Sequence, residues 1–173
     1  MEISRKIEMP QEIERTREII TELYVPMKGQ VLDVGQSADE VFASKALGDG
    51  VAINPAEGMV CAPCDGTISL LFPTKHAVGI TSETGVEVLI HIGINTVQLD
   101  GQGFEAFVAQ GDKVKKGNKL IAADLDLIRE KGLNPQTMMI LPEGGNLDVT
   151  VYPGGQADSG DLAVKAVKTV KTA

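Results

Sequence analysis

A chain of 173 residues is the length of one ordinary domain, and its 24 acidic against 16 basic side chains leave a net charge of -8. That charge repels phosphate backbones and anionic bilayers, and with no Trp, two Tyr and four Phe the chain lacks base-stacking surfaces, so a nucleic-acid partner is excluded. The 43% apolar fraction suffices for a core, and no run approaches the ~20 apolar residues of a membrane span, so no membrane insertion and a cytoplasmic location are expected.

Residues 1–26 are set apart. Glu12, Glu14, Arg15, Arg17, Glu18 and Glu22 are interspersed with Ile13, Ile19, Ile20 and Leu23 at roughly helical spacing. The pattern predicts an N-terminal helix, opened near Pro10 and closed by Pro26, that lies on the domain or links it to another. From 27 to 155 short β-type runs such as GVAINP, GTISLLF, HAVGITS, GVEVLIHI and LDVTVYP are separated by Gly, Asp, Asn and Pro. Such punctuation predicts an all-β fold, an antiparallel sandwich or barrel, with one short helix at Asp124 to Lys131 closed by Gly132. Residues 156–173 are a C-terminal tail, read as a short helix or a frayed end because Val-Lys recurs there at a triplet spacing.

The two cysteines, Cys61 and Cys64, form one CxxC that cannot staple distant segments. Their spacing to the two histidines is not that of a zinc finger, and strand parity points them to opposite faces, so they are read as small buried hydrophobes.

The histidines are more informative. Residues 73–93 read as two β-rich runs joined by Ser-Glu-Thr-Gly, a hairpin signal. A two-residue turn centred on Glu83 and Thr84 pairs Ser82 with Gly85 and, further out, His76 with His91. Directly opposed residues have Cβ atoms about 5 Å apart on one sheet face, while a slip of one residue would separate them. Within GVEVLIHI, alternation gives Val86, Val88, Ile90 and Ile92 to the core and Glu87, Leu89 and His91 to the other face. Thr74 shares the parity of His76. Such a pair can ligate a metal, run acid/base chemistry, or use one ring as a nucleophile while the other stabilises the product.

Three stretches resemble one family: GDGVAINP, the run GMVCAPCDGTISLLFPTKHAVGITSETGVEVLIHIGINTVQLDGQGF, and VAQGDKVKKGNKLIAADLDLI. They are similar to the glucose-type enzyme IIA domain of the bacterial phosphoenolpyruvate-dependent sugar phosphotransferase system, over about residues 28 to 150. The resemblance implies a β-sandwich with both histidines in a shallow depression. It implies that His91 takes a phosphoryl group from the phosphocarrier HPr and passes it to a cysteine of a sugar-specific IIB domain, with His76 its partner and Thr74 the hydroxyl beside them. It places Val41, Phe42, Leu47, Phe72 and Leu89 on an apolar docking surface, and Asn95 where some members carry Asp. Neither a cofactor nor a metal is expected. The chemistry then asks for one neutral ring nitrogen of His91 as nucleophile, the other N–H being held by a backbone acceptor.

Other readings of the same residues are a metal-dependent hydrolase with His76 and His91 as ligands, lacking the H-x-H spacing because Gly93 follows, and a regulatory domain that is phosphorylated but never donates.

Overall fold

The 19 glycines and 8 prolines cut the chain into short extended runs whose β-branched residues favour strands. The computed structural model describes residues 15–143 and 146–172. In chain order these form β1 (Thr16–Tyr24), β2 (Gly29–Asp33), α1 (Glu40–Ala43), β3 (Asp49–Pro55), β4 (Met59–Cys61), β5 (Gly66–Leu71), β6 (Ala77–Ser82) and β7 (Glu87–His91). There follow β8 (Phe104–Ala106), β9 (Lys113–Val114), β10 (Lys119–Ala123), α2 (Leu125–Glu130), β11 (Thr137–Leu141), β12 (Asp148–Val151), β13 (Gly155–Ala157) and β14 (Leu162–Lys171). The short helix expected near Asp124 is α2, its first turn capped by the Asp124 carboxylate on the Leu127 N–H.

Eight strands make the principal sheet in the order β13-β2-β3-β11-β7-β6-β5-β9, and two three-stranded sheets, β1-β14-β12 and β4-β10-β8, share one core with it. This is the antiparallel β-sandwich that the alternation predicts. Strand parity divides the principal sheet into two faces. Val51, Ile53, Val78, Ile80, Val88, Ile90, Met139 and Leu141 enter the main core, while Ala52, Met138 and Ile140 join Val34 and Phe42 in a smaller cluster on the opposite face. The sheet is therefore apolar on both sides at β11, and the smaller cluster gives the outer face a rigid apolar floor.

The two ends of the chain differ from the sequence reading. Thr16–Tyr24 is a strand, paired residue by residue with β14 from Thr16↔Lys171 to Leu23↔Val164, and the rest of the expected N-terminal helix, residues 1–14, lies outside the described residues. The expected tail 156–173 likewise supplies β13 and β14. Charges interspersed with Ile and Leu fit a helix locally, but the run Ile19, Ile20, Thr21 is β-branched and its outer face matches β14, with Glu22 opposite Lys165 and Ile20 opposite Val167. That partner stands some 145 residues away in the chain, beyond any local window. Leu23, Val164 and Ala166 lie in the main core, so β1 and β14 belong to the β domain.

Replacing the fully buried Leu23 by Ala is expected to destabilise the protein by ~2–5 kcal/mol in urea unfolding. Ile20→Ala, at a position 46% exposed, should change it by under about 1 kcal/mol. Equal effects would mean that β1 does not close the core.

Candidate active site

β6 and β7 form a hairpin that pairs Ala77 with His91, Val78 with Ile90 and Thr81 with Glu87. The Ser82 N–H donates to the Val86 carbonyl and the Gly85 N–H to the Ser82 carbonyl, both at 2.9 Å. The loop is therefore three residues long, Glu83 to Gly85, with Gly85 at φ +89°. That is the three-residue hairpin whose last loop position calls for glycine. The register stands one residue away from that of a two-residue turn, so His76 is not directly opposite His91.

The rings meet all the same, with centroids 5.0 Å apart and planes at 83°. His76 precedes β6, and Lys75 before it has φ +58°, a left-handed conformation that turns the chain where the strand begins. The residue that does face His91 is Ala77, fully buried and too small to keep the His76 ring away.

His91 projects from the outer face of β7, in a row with Ala52, Met138 and Ala77 of the neighbouring strands. Its Nδ1 is 2.8 Å from the Gly93 carbonyl oxygen. A carbonyl only accepts, so Nδ1 carries the proton and Nε2 presents its lone pair. The acceptor is itself fixed: Gly93 has φ +78° and a Cβ there would collide with Thr96 Cγ2. Thr96 is fully buried and its hydroxyl donates to the Ile92 carbonyl. On the other side, Thr74 Oγ1 lies 2.6 Å from His76 Nδ1. Thr74 thus holds the buried His76 ring through Nδ1, leaving Nε2 uninvolved in that contact.

Two phenylalanines back the pair, Phe42 on His91 at 5.2 Å between ring centroids and Phe72 on His76 at 5.3 Å. Burial, then the charge His91 would carry, pushes the His76 pKa down to about 4. Burial likewise lowers that of His91, while the Gly93 carbonyl and the Asp39 carboxylate draw it partly back. Both rings are neutral at pH 7, the state a nitrogen nucleophile requires.

Of the expected docking residues, Val41, Leu47 and Asn95 are exposed, and Phe72 and Leu89 are half-buried. Phe42 is a correction: it is buried in the smaller cluster and supports the His91 ring from below instead of offering open surface. Two exposed residues escaped the sequence reading. Leu70 aligns with Gly79 and Leu89 across β5, β6 and β7, after a register shift between Ile68 and Leu70 that breaks simple alternation. Val97 stands on the 3-10 turn Thr96–Leu99, a turn with no period of its own to read.

Cys64 is in the main core, where burial and then the neighbouring Asp65 and Glu83 push its thiol up to about 12, and Cys61 is half-buried in β4. A cleft lined by Cys64, Ser82, Glu83 and Thr84 puts it at the loop end of the hairpin. The histidines stand at the other end, roughly 16 Å away at about 3.3 Å per residue. The strand length keeps Cys64 out of any shared site with the histidine pair.

A His whose folded pKa lies below its unfolded value of about 6.5 favours folding fully above pH 6.5, and loses that advantage as the pH falls toward about 4. NMR titration should give His76 a midpoint near 4, and parent stability should fall between those limits by up to about 1.4 kcal/mol per unit of separation. His76→Gln should flatten that part of the profile. A His76 midpoint near 6.5 would contradict the buried, paired placement.

Residues 21–146 match the family described as "phosphoenolpyruvate-dependent sugar phosphotransferase system, EIIA 1". A glucose-specific EIIA component from Bacillus cereus is 49% identical over 119 residues, which are 69% of this chain and 72% of that protein. A glucoside-specific EIICBA component from Staphylococcus carnosus is 40% identical over 150 residues, 84% of this chain. The chain spans only 22% of that larger protein's length. The solved glucose permease IIA from Mycoplasma capricolum superposes with a TM-score of 0.79 at 38% identity, covering 85% of this chain and 96% of that one. With the β-sandwich and its paired histidines, these matches establish that the chain belongs to the EIIA family of the phosphoenolpyruvate-dependent sugar phosphotransferase system.

Proposed function

We propose that His91 is the phosphoryl carrier of this domain, charged by the phosphohistidine of HPr and discharged to a cysteine thiolate of a IIB domain in a glucose- or glucoside-class permease. The observation that carries this reading is the Gly93 carbonyl on His91 Nδ1 with the His76 ring 5.0 Å away. Nε2 attacks phosphorus in line, the new N–P bond forms as the N–P bond of the donor breaks, and the donor ring leaves with its electron pair. No proton need leave His91, since the attacking nitrogen starts without one.

The product carries close to two negative charges. In the tautomer whose Nδ1 accepts from the Thr74 hydroxyl 2.6 Å away, His76 carries its proton on Nε2 and offers that N–H to the phosphoryl oxygens, spreading the charge. Thr74 acts through His76. The exposed Val41, Leu47, Leu70 and Val97 offer contacts with little directional demand, which suits a surface used in turn by HPr and by IIB. The names of the EIICBA relatives support a IIB partner, since such a chain joins B and A components.

Incubation with phosphoenolpyruvate, enzyme I and HPr should add one phosphoryl group, acid-labile and alkali-stable, read by intact mass. His91→Ala should abolish the gain while the protein stays folded, since the side chain leaves no void in the main core. A parent that gains nothing, or a variant that labels fully, would end this reading.

His76→Gln keeps an N–H but loses the imidazole that Thr74 orients; it should still accept from phospho-HPr but pass the group on ~100 to 1,000-fold more slowly, the usual loss when a donor is no longer preorganised. Rapid-quench transfer to IIB measures it. Donation at the parent rate would make the contact of the two rings incidental.

A further inference from the structure

We infer that Gln136 is a positioning residue for phosphoryl transfer, an inference that rests on His91 being the nucleophile. Gln136 is buried at the start of β11, just before Thr137, and its side-chain amide joins three segments. Its Oε1 accepts from Ser37 Oγ at 3.0 Å and from the Ala38 N–H at 2.9 Å. Its Nε2 donates to Asn54 Oδ1 of β3 at 3.0 Å, and its own N–H is received by Asn134 Oδ1 at 2.9 Å.

One support of the His91 ring runs back to this side chain and the other to its near neighbour Asn134. The first is α1, a helix of four residues. One turn cannot hold itself, because a lone turn fixes several dihedrals for very few hydrogen bonds. It is set by what anchors its start: Ser37 Oγ, bound to Gln136, accepts the Asp39 N–H at 3.1 Å, and Asp39 Oδ1 caps Val41 and Phe42. Phe42 then carries its ring against His91. The second is the loop that carries the Gly93 carbonyl, tied down where the Ile94 N–H donates to the Asn134 carbonyl at 2.8 Å. Gln136 thus fixes the α1 side directly and shares with Asn134 the segment that fixes the loop side. An apolar residue at 136 would take away the fixed acceptor of the Ser37 hydroxyl and the Ala38 N–H and release the start of α1.

The test uses the full chain with phospho-HPr as donor, in single-turnover phosphorylation, with urea unfolding in parallel. Gln136→Met keeps volume but removes both hydrogen-bonding ends, and should slow acceptance about tenfold, the effect of roughly 1.4 kcal/mol on a barrier. Gln136→Glu keeps the acceptor for Ser37 and Ala38 and should recover the parent rate to within about threefold, although it loses the Nε2 donor. Ser37→Ala, which leaves the core untouched, should slow acceptance about threefold and decides the matter if Gln136→Met does not fold. A folded Gln136→Met at the parent rate, or Met and Glu variants equally slow, or Ser37→Ala without effect, would overturn the inference. A parent that is never phosphorylated fails the carrier reading instead.

Discussion

The hydrogen bond from His91 Nδ1 to the Gly93 carbonyl is the constraint on which the site depends. It puts the neutral ring's proton on Nδ1, so decides which nitrogen is the nucleophile, and it holds the ring on the outer face of β7. Much of the surrounding structure is arranged to make that carbonyl a fixed point. The backbone turns back at residue 93 with φ +78°, a fully buried threonine fills the space a side chain would take, and the Ile94 N–H is bound by Asn134. A hydrogen bond of this kind is worth little in net stability, on the order of 1 kcal/mol. Its effect is on geometry and tautomer.

A nucleophilic ring at a surface used by partner proteins must be supported from beneath without being covered. The sheet meets this with apolar residues on both faces of β11. Met139 and Leu141 pack inward, and Met138 and Ile140 build a floor on the outside with Phe42. His91 stands on that floor next to Met138, and the small Ala77 beside it leaves the way open for His76. Burial keeps both rings neutral, so each enters the reaction as imidazole with one donor and one acceptor.

Much of this was legible in the sequence because it depends on local rules. Alternation in GVEVLIHI put His91 on the outer face, and Gly and Pro punctuation gave the all-β class. A two-residue turn at Glu83 and Thr84 is one residue shorter than the loop the chain forms, although a glycine at the third loop position is the signal of the longer one. By strand parity that difference should separate the histidines. They meet where the chain turns at Lys75, just before His76, in a left-handed conformation no local pattern announces. The strand at the N-terminal end was hidden for another reason, since its partner β14 lies at the far end of the chain. The Gln136 network was equally out of sight, joining residues up to 99 positions apart.

The most direct measurement of the central claim is the site of the N–P bond in the phosphorylated protein with 15N-labelled histidine. Phosphorus coupling should appear on Nε2 of His91, while Nδ1 keeps the shift of a protonated, hydrogen-bonded nitrogen before and after the reaction. Coupling on Nδ1, or on either nitrogen of His76, would contradict it.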